Sequence, residues 1–345
     1  MSVNKATGLA APTRISGRNA LLLGIAASLG FTGLIWLLGG RLLNVPHYPD
    51  FGADWYYWRL MEPTYFSRAT AWGLYLAHQA AFWAFIYYGQ TRARRFGGNL
   101  TRLNVVALGV NALFIGLHLA QTHLLYDGLA QDVSIWTSQG SVVAMLVLIL
   151  LMENGRRGLF FGKRAPLPQE AIRLVRRYHG YVFAWAAVYT FWYHPTEATT
   201  GHLIGFFYMF LLLLQGSLLY TRAHLNRVWT LALEATVLVH GALVAFDQGN
   251  NLWPMFAFGF GGILVVTQVH GLALPKAARF GALGVYVALV ALVYAGQPLI
   301  KLNEIVRIPI IEYLLVFAFA FLIDGTARLV RVLRSKEMPR LASEE

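Results

Sequence analysis

The chain has 345 residues, of which 57% are hydrophobic and only 13% are charged, and its mean hydropathy is +0.52. Soluble domains carry about twice that share of charged residues, so the composition excludes an ordinary soluble protein and indicates exposure to lipid. No cysteine is present, which excludes disulfides, thiolate metal sites, iron–sulfur clusters and cysteine nucleophiles.

Apolar stretches of about 20 residues, long enough to cross a bilayer, recur along the whole chain. The first one follows a polar, basic tail over residues 1–18 and contains no small-residue cleavage site, so we expect a retained helix and not a removed signal peptide. The pattern predicts an all-α, polytopic transmembrane helical bundle that forms one membrane domain over residues 1–345. About ten spans are predicted, at 20–40, 70–89, 104–124, 134–152, 178–194, 203–221, 229–246, 253–273, 280–296 and 309–330.

The net charge of +12 is distributed unevenly between the two sides of this topology. With both termini cytoplasmic, the basic loop 153–177 and the C-terminal tail 331–345 lie inside, and all but five of the 28 Lys and Arg are cytoplasmic. The five on the far side are Arg41, Arg59, Arg68, Lys301 and Arg307. This bias predicts a bacterial-type plasma (inner) membrane protein whose basic segments contact anionic lipid, and it argues against nucleic acid as a partner.

The loop 41–69 is the longest predicted connection on the outer side. It contains Trp55, Tyr56, Tyr57 and Trp58 in succession. Aromatic rings of this kind favour the headgroup layer, where one edge is apolar and the other is wet. The loop is therefore predicted to be an aromatic anchor, and a lid over a site is the alternative.

The third span carries a polar stripe on one helical face. Asn104, Asn111 and His118 follow one another at steps of seven, Gln121 continues the stripe, and His123 lies at the outer end. A polar stripe at membrane depth must face protein or water, because lipid offers no hydrogen bonds. The stripe is predicted either to join helices by hydrogen bonds or to contribute His118 and His123 to a site.

The outer connection between the fifth and sixth spans contains His194, Glu197 and His202 within nine residues. Imidazole nitrogens and a carboxylate oxygen are zinc ligands, although the spacing matches no standard zinc motif. The alternative is structural: Thr199 or Thr200 would cap the sixth helix while Glu197 is solvated.

The seventh span adds His240 and, seven residues later, Asp247, which share a helical face. A carboxylate beside an imidazole orients the ring and raises its basicity. In the predicted topology these residues and the other outer histidines lie in the extracytoplasmic half, which predicts a single outward-facing site. The predicted catalytic residues are His118, His123, Glu197, His240 and Asp247, and the predicted ligands of a divalent metal, zinc in the first place, are His194, His202, Glu197 and His240.

Three functions are compatible with these residues. The favoured one is a membrane-embedded enzyme, a hydrolase or transferase that acts on a lipid or lipid-linked substrate with or without a metal. The second is a b-type haem protein that transfers electrons, with His118 and His240 as axial ligands. The third is a small-solute or ion transporter lined by the Asn104–Asn111–His118 stripe, which the scarcity of ionisable groups near the midplane disfavours.

Overall fold

The computed structural model describes residues 8–48, 58–92, 96–249 and 251–341. The protein is 77% helical, which confirms the predicted all-α class. The α-helices of the described residues are α1 (Gly17–Leu38), α2 (Tyr65–Arg92), α3 (Arg102–Leu125), α4 (Ile135–Arg157), α5 (Gln169–Tyr193), α6 (Thr200–Ser217), α7 (Arg227–Asp247), α8 (Trp253–Val266), α9 (Lys276–Tyr294) and α10 (Asn303–Leu341). Trp55, Tyr56 and Tyr57 of the aromatic loop lie outside the described residues.

A helix covers most of each of the ten predicted spans. Over the described part of the chain, eight helices are long and apolar enough to cross a membrane, and α2 and α5 are not among them. Both contain many tyrosine and tryptophan residues, and α5 begins with Arg173, Arg176 and Arg177. These residues lower the hydropathy of a helix without preventing it from being buried among other helices.

The helices extend further than the apolar stretches that predict them. The predicted loop 153–177 is helical except for residues 158–168, and α10 continues through most of the predicted tail 331–345. Charged residues such as arginine are good helix formers, so a helix can continue beyond the edge of the lipid. The predicted tail 1–18 instead contains a short strand, β1 (Pro12–Ser16), that pairs antiparallel with β2 (Asn99–Thr101) before α3.

The chain forms two compact units. Unit 1 takes its described residues from Met1–Val142 and Gly180–Ala257, and unit 2 from Val143–His179 and Phe258–Glu345. The boundaries fall within α4, α5 and α8. Whether the chain acts as one membrane domain stays a prediction.

In unit 1, α1 packs antiparallel against α6 through small residues. A Cβ on Gly24 would collide with the side chain of Leu214, and a Cβ on Gly39 would collide with Ala198. Glycine therefore lets the two helices approach closely, as is common between membrane helices. The core of this unit is aromatic, and its fully buried side chains include Phe82, Phe191, Trp192 and Phe206.

In unit 2, α8 packs against α10 and α9 through its glycines. A Cβ on Gly259 would lie 2.9 Å from Ile308, and one on Gly262 would lie 3.1 Å from the Tyr286 hydroxyl. Thr267 then ends α8: its hydroxyl hydrogen-bonds the Leu159 carbonyl at 2.5 Å and the Tyr313 hydroxyl at 2.8 Å. The glycines of α8 therefore serve helix packing.

Large apolar side chains are exposed along whole helix faces. On α9 the exposed fractions are 70% for Phe280, 61% for Val285 and 72% for Leu292. Continuous apolar surface of this kind is unfavourable in water and is normal against lipid.

Candidate functional site

The connections that follow α1, α3 and α5 meet at one end of the helices of unit 1. The hydroxyl of Ser67 at the start of α2 donates to Asp127 just after α3 at 2.8 Å. Arg68 forms an ion pair with Asp132, whose carboxylate also accepts from Trp72. These contacts fix the ends of α2 and α3 and form the rim of a polar region.

Four imidazoles gather at this end, and we call His47, His194, His202 and His240 the histidine cluster. The ring centroids of His194 and His202 are 5.4 Å apart at right angles. His202 also interacts electrostatically with His240 and His47, and His194 interacts in the same way with His240. Because like charges repel, a proton on His202 disfavours a second proton on His194 or His240.

Local structure holds the two central rings in place. Thr199 caps α6, accepting from the backbone N–H of His202 at 3.3 Å, and its hydroxyl also lies 2.7 Å from Nδ1 of the same imidazole. One turn later, a Cβ on Gly205 would lie 3.0 Å from Nε2 of His240. Because Gly205 has no side chain, the His240 imidazole of α7 can pack against α6 at this position. Thr199 has the predicted capping role and orients a cluster residue as well.

His47 reaches the cluster from the connection between α1 and α2. A short antiparallel bridge between His47 and Leu60, with the Tyr48 N–H donating to the Arg59 carbonyl at 3.0 Å, holds this segment in place. The indole of Trp58 lies between two members of the cluster, with ring centroids 4.9 Å from both His47 and His202.

Glu197 belongs to a buried pair beside His47. Its Oε1 accepts from the Tyr126 hydroxyl at 2.6 Å, and the Tyr126 ring stacks on His47 at 5.7 Å. Burial raises the pKa of the Glu197 carboxyl above its ordinary value of 4.5, while the Tyr126 hydrogen bond and the charge of His47 oppose this rise. Burial, followed by the charge of Glu197, also raises the pKa of Tyr126, so the phenol is the hydrogen-bond donor. Glu197 is therefore buried, and the alternative in which it is solvated is wrong.

The raised pKa of Glu197 predicts a pH-dependent stability. The folded protein binds this proton more tightly than the unfolded chain does, so its contribution to stability is present below pH 4.5 and is lost as the pH rises through the folded-state pKa. Glu197→Gln removes the titration. Between pH 4.5 and 7 the unfolding temperature of the wild type should therefore fall relative to that of the variant.

Thermal unfolding in detergent across this pH range measures the difference. Glu62→Gln, at an exposed carboxylate, is the matched control and should follow the wild type. If the difference in unfolding temperature between wild type and Glu197→Gln is constant over this pH range, Glu197 does not titrate in this way.

His118 lies one aromatic ring away from the cluster. It is fully buried, its imidazole stacks on Trp192 at 4.3 Å, and Phe206 packs against both its ring and that of His194. The ring also lies within hydrogen-bonding reach of the His194 backbone. His118 is thus brought near the site, as predicted, without being a member of the cluster.

A further histidine, His78, is used for structure. The Trp192 indole N–H, which can only donate, bonds to His78 Nδ1 at 3.1 Å. His78 Nδ1 is therefore the acceptor, so its Nε2–H donates to Asn111 Oδ1 at 2.7 Å, and Asn111 Nδ2 donates to Ser217 at 2.7 Å. This chain fixes a neutral tautomer and joins α2, α3, α5 and α6.

Two residues of the predicted polar stripe of α3, Asn104 and Asn111, form such bonds. Asn104 donates to the carbonyls of Ser217 and Leu219 at 2.8 and 2.9 Å, and its Oδ1 accepts from Thr101. Asn111 uses both its donor and its acceptor as described above. These asparagines join helices, which supports the structural alternative for them and gives the transporter hypothesis no observation in its favour.

Two predicted catalytic residues have no contact with the cluster. His123 is half-buried and lies near Arg41, and its Nε2 has no hydrogen-bond partner among the residues described. Asp247 is exposed at the end of α7, and over the same ranges its carboxylate forms no ion pair. Their catalytic roles stay predictions.

The predicted metal ligands are neighbours without forming a metal-binding arrangement. Within the described ranges, no three His, Asp or Glu side chains are placed to hold one ion. Glu197 is engaged by Tyr126, and the rings of His194 and His202 stand at right angles. The haem alternative meets a similar difficulty, because Phe191, Trp192 and Phe206 all pack against the His118 ring. Zinc and haem stay untested.

Sequence patterns did not identify His47 and Tyr126 as members of the site. His47 lies 147 to 193 residues from its cluster partners, and no local spacing connects them. The available signal was its position on the outer side of the predicted topology, which it shares with the other cluster histidines.

The fold and the site define a multi-pass, all-α membrane protein with a histidine-rich polar region at one end of unit 1. No protein family, no curated protein and no solved structure was found to match the chain.

Proposed function

We propose that the protein is a membrane-embedded enzyme that uses the histidine cluster for general acid–base catalysis on a lipid or lipid-linked substrate. The observation that carries the proposal is the gathering of imidazoles from four separate segments, with His202 beside His194 and in electrostatic interaction with His240 and His47. Helix packing alone does not require ionisable rings to meet, and ionisable groups in membrane proteins are commonly functional.

The chemistry follows from coupled imidazoles. Imidazole gains and loses a proton near neutral pH, and a group of neighbouring rings can accept a proton from one substrate atom and return it to another. His202, held through Nδ1 by Thr199, is the central base. The Tyr126–Glu197 pair, next to His47, provides negative charge that stabilises an imidazolium in the cluster.

The substrate class is inferred from the position of the cluster. Its members lie at or within a few turns of the ends of α5, α6 and α7, the depth at which lipid headgroups meet water. Trp58 and Tyr126 surround the cluster with rings that suit this interface. A substrate with an apolar anchor and a polar reacting group fits such a site.

Turnover in vesicles tests the proposal. The purified full chain is reconstituted with phospholipids and with polyprenyl-linked phosphates and sugars, and the products are analysed by mass spectrometry. We expect a hydrolysed or transferred headgroup from one substrate class. Unchanged lipids in every mixture would contradict the proposal.

Metal and haem are tested on the same sample. Elemental analysis and an absorption spectrum are recorded for the wild type, His194→Ala and His202→Ala. Metal that is lost in both variants would make the reaction metal-dependent, and a Soret band would favour the haem alternative. If the reaction is acid–base catalysis without metal or haem, turnover should continue in the presence of chelators.

The orientation of the site is a separate proposal. The distribution of Lys and Arg places both termini in the cytoplasm and the cluster on the outer side. Reporter fusions after residues 130 and 160 should then report the outer and the inner side, respectively. The reverse result would place the cluster at the cytoplasmic face, and the same side for both would contradict α4 as a span.

A further inference from the structure

A cationic groove lies in unit 2, where the start of α5 meets the last part of α10. Its volume is about 700 Å³, and three arginines line it: Arg173 of α5, and Arg328 and Arg331 of α10. Glu170 and Asp324 are the acidic residues in the lining. None of these side chains belongs to the histidine cluster, so the groove is independent of the proposed enzyme site.

The charges of the groove do not cancel. Arg328 pairs with Asp324 at 2.7 Å, and Arg173 forms an ion pair with Glu170. Arg331 hydrogen-bonds the Ala327 carbonyl through Nε at 3.4 Å, and within the described ranges it has no carboxylate partner. The lining therefore keeps one positive charge in excess, on a groove whose volume is sufficient for a headgroup.

An apolar stripe on α10 leads to this groove. Leu314 and Phe321 precede Arg328 at steps of seven, so the three share one helical face. Leu314 is 64% exposed and Phe321 is 57% exposed. Val332, half exposed, lies in the groove lining itself. Apolar surface and cationic surface thus adjoin along one helix.

We propose that this groove binds the phosphate headgroup of an anionic phospholipid, whose acyl chains lie along the exposed stripe of α10. Guanidinium groups bind phosphate oxygens in a bidentate manner, and arginine is the residue best suited to this recognition. The excess positive charge favours an anionic headgroup over a zwitterionic one. Free phosphate would use the arginines alone and leave the apolar stripe without a role.

Lipid retention by the purified full chain tests the proposal. The protein in detergent is incubated with equal amounts of phosphatidylglycerol and phosphatidylcholine, and retained lipid is counted by native mass spectrometry. We expect the wild type to retain phosphatidylglycerol by about fivefold or more over phosphatidylcholine, since one positive charge in excess near the site contributes about that factor. In Arg173→Gln/Arg331→Gln the lining has one negative charge in excess, so the preference should fall to one or below.

The variants are chosen to keep the fold. Arg328 stays unchanged because it pairs with the largely buried Asp324. The matched control is Arg222→Gln/Arg227→Gln, which removes the same charge from exposed positions in unit 1 and should keep the preference. If the double variant fails to fold, Arg331→Gln alone serves, because its side chain is exposed and makes no ion pair within the described residues.

Three results would overturn the proposal. The first is a wild type with no preference for phosphatidylglycerol. The second is an equal loss of preference in the control, which would show a general effect of net charge. The third is complete displacement of the lipid by excess inorganic phosphate, which would identify the ligand as free phosphate.

Discussion

Replacing His202 with alanine is expected to lower turnover of the lipid substrate by about 10²- to 10⁴-fold, the usual contribution of a general acid–base residue. His202 is the member of the cluster that interacts with the three others, so its loss removes the ring that they have in common. Initial rates in reconstituted vesicles measure the effect. The side chain is only partly buried, so the unfolding temperature should change little.

The matched control is a histidine at the opposite end of unit 1. His224 is also half-buried, and its Nδ1 lies 2.8 Å from the Gln215 carbonyl. His224→Ala removes an equal imidazole without touching the cluster and should leave the rate unchanged. A rate for His202→Ala close to that of the wild type would remove the cluster from the reaction, and an equal loss in both variants would indicate a general structural effect.

The second large effect is expected at Asn111. Asn111→Leu removes the acceptor of the His78 Nε2–H and the donor to Ser217, and leaves a buried N–H without a partner. Unsatisfied buried groups cost about 1–3 kcal/mol each, and hydrogen bonds between membrane helices contribute about 1 kcal/mol. The variant should be destabilised by roughly 2–4 kcal/mol, measured by reversible unfolding in mixed micelles.

Ala112→Leu is the matched control for this experiment. It places the same leucine at the next position of α3, which is exposed, and should not change the free energy of unfolding. Solute flux that depends on Asn111, with stability unchanged, would revive the transporter hypothesis and contradict the structural role given to this residue.

The helices could be predicted from the sequence because each span carries its own signal. Twenty consecutive apolar residues suffice to define a helix in lipid, whatever the rest of the chain does. The ends of the helices could not be predicted in this way. Arg-rich α10 continues to Leu341 because helix propensity, and not hydropathy, decides where a polar helix ends.

The site could be predicted only in part. The predicted spans placed several histidines at a similar depth in the membrane, and the rings of His194, His202 and His240 are neighbours in the structure. The partner of Glu197 could not be inferred, since Tyr126 lies 71 residues away, directly after α3. Asn111 was compatible with a pore in the sequence for a similar reason. Helical spacing shows which face of a helix is polar, but it does not show which other helix packs against that face.

The pairing of α1 with α6 has a consequence for how the protein is made. Leu214, which fills the space above Gly24, is synthesised roughly 190 residues after it. At ordinary elongation rates that interval lasts about 10–40 s. During this time the glycine face of the first helix to emerge has no partner, so nascent α1 needs lipid or an insertion factor as a temporary neighbour. Truncated chains that end before α6 should therefore expose this face to crosslinking, and full-length chains should protect it.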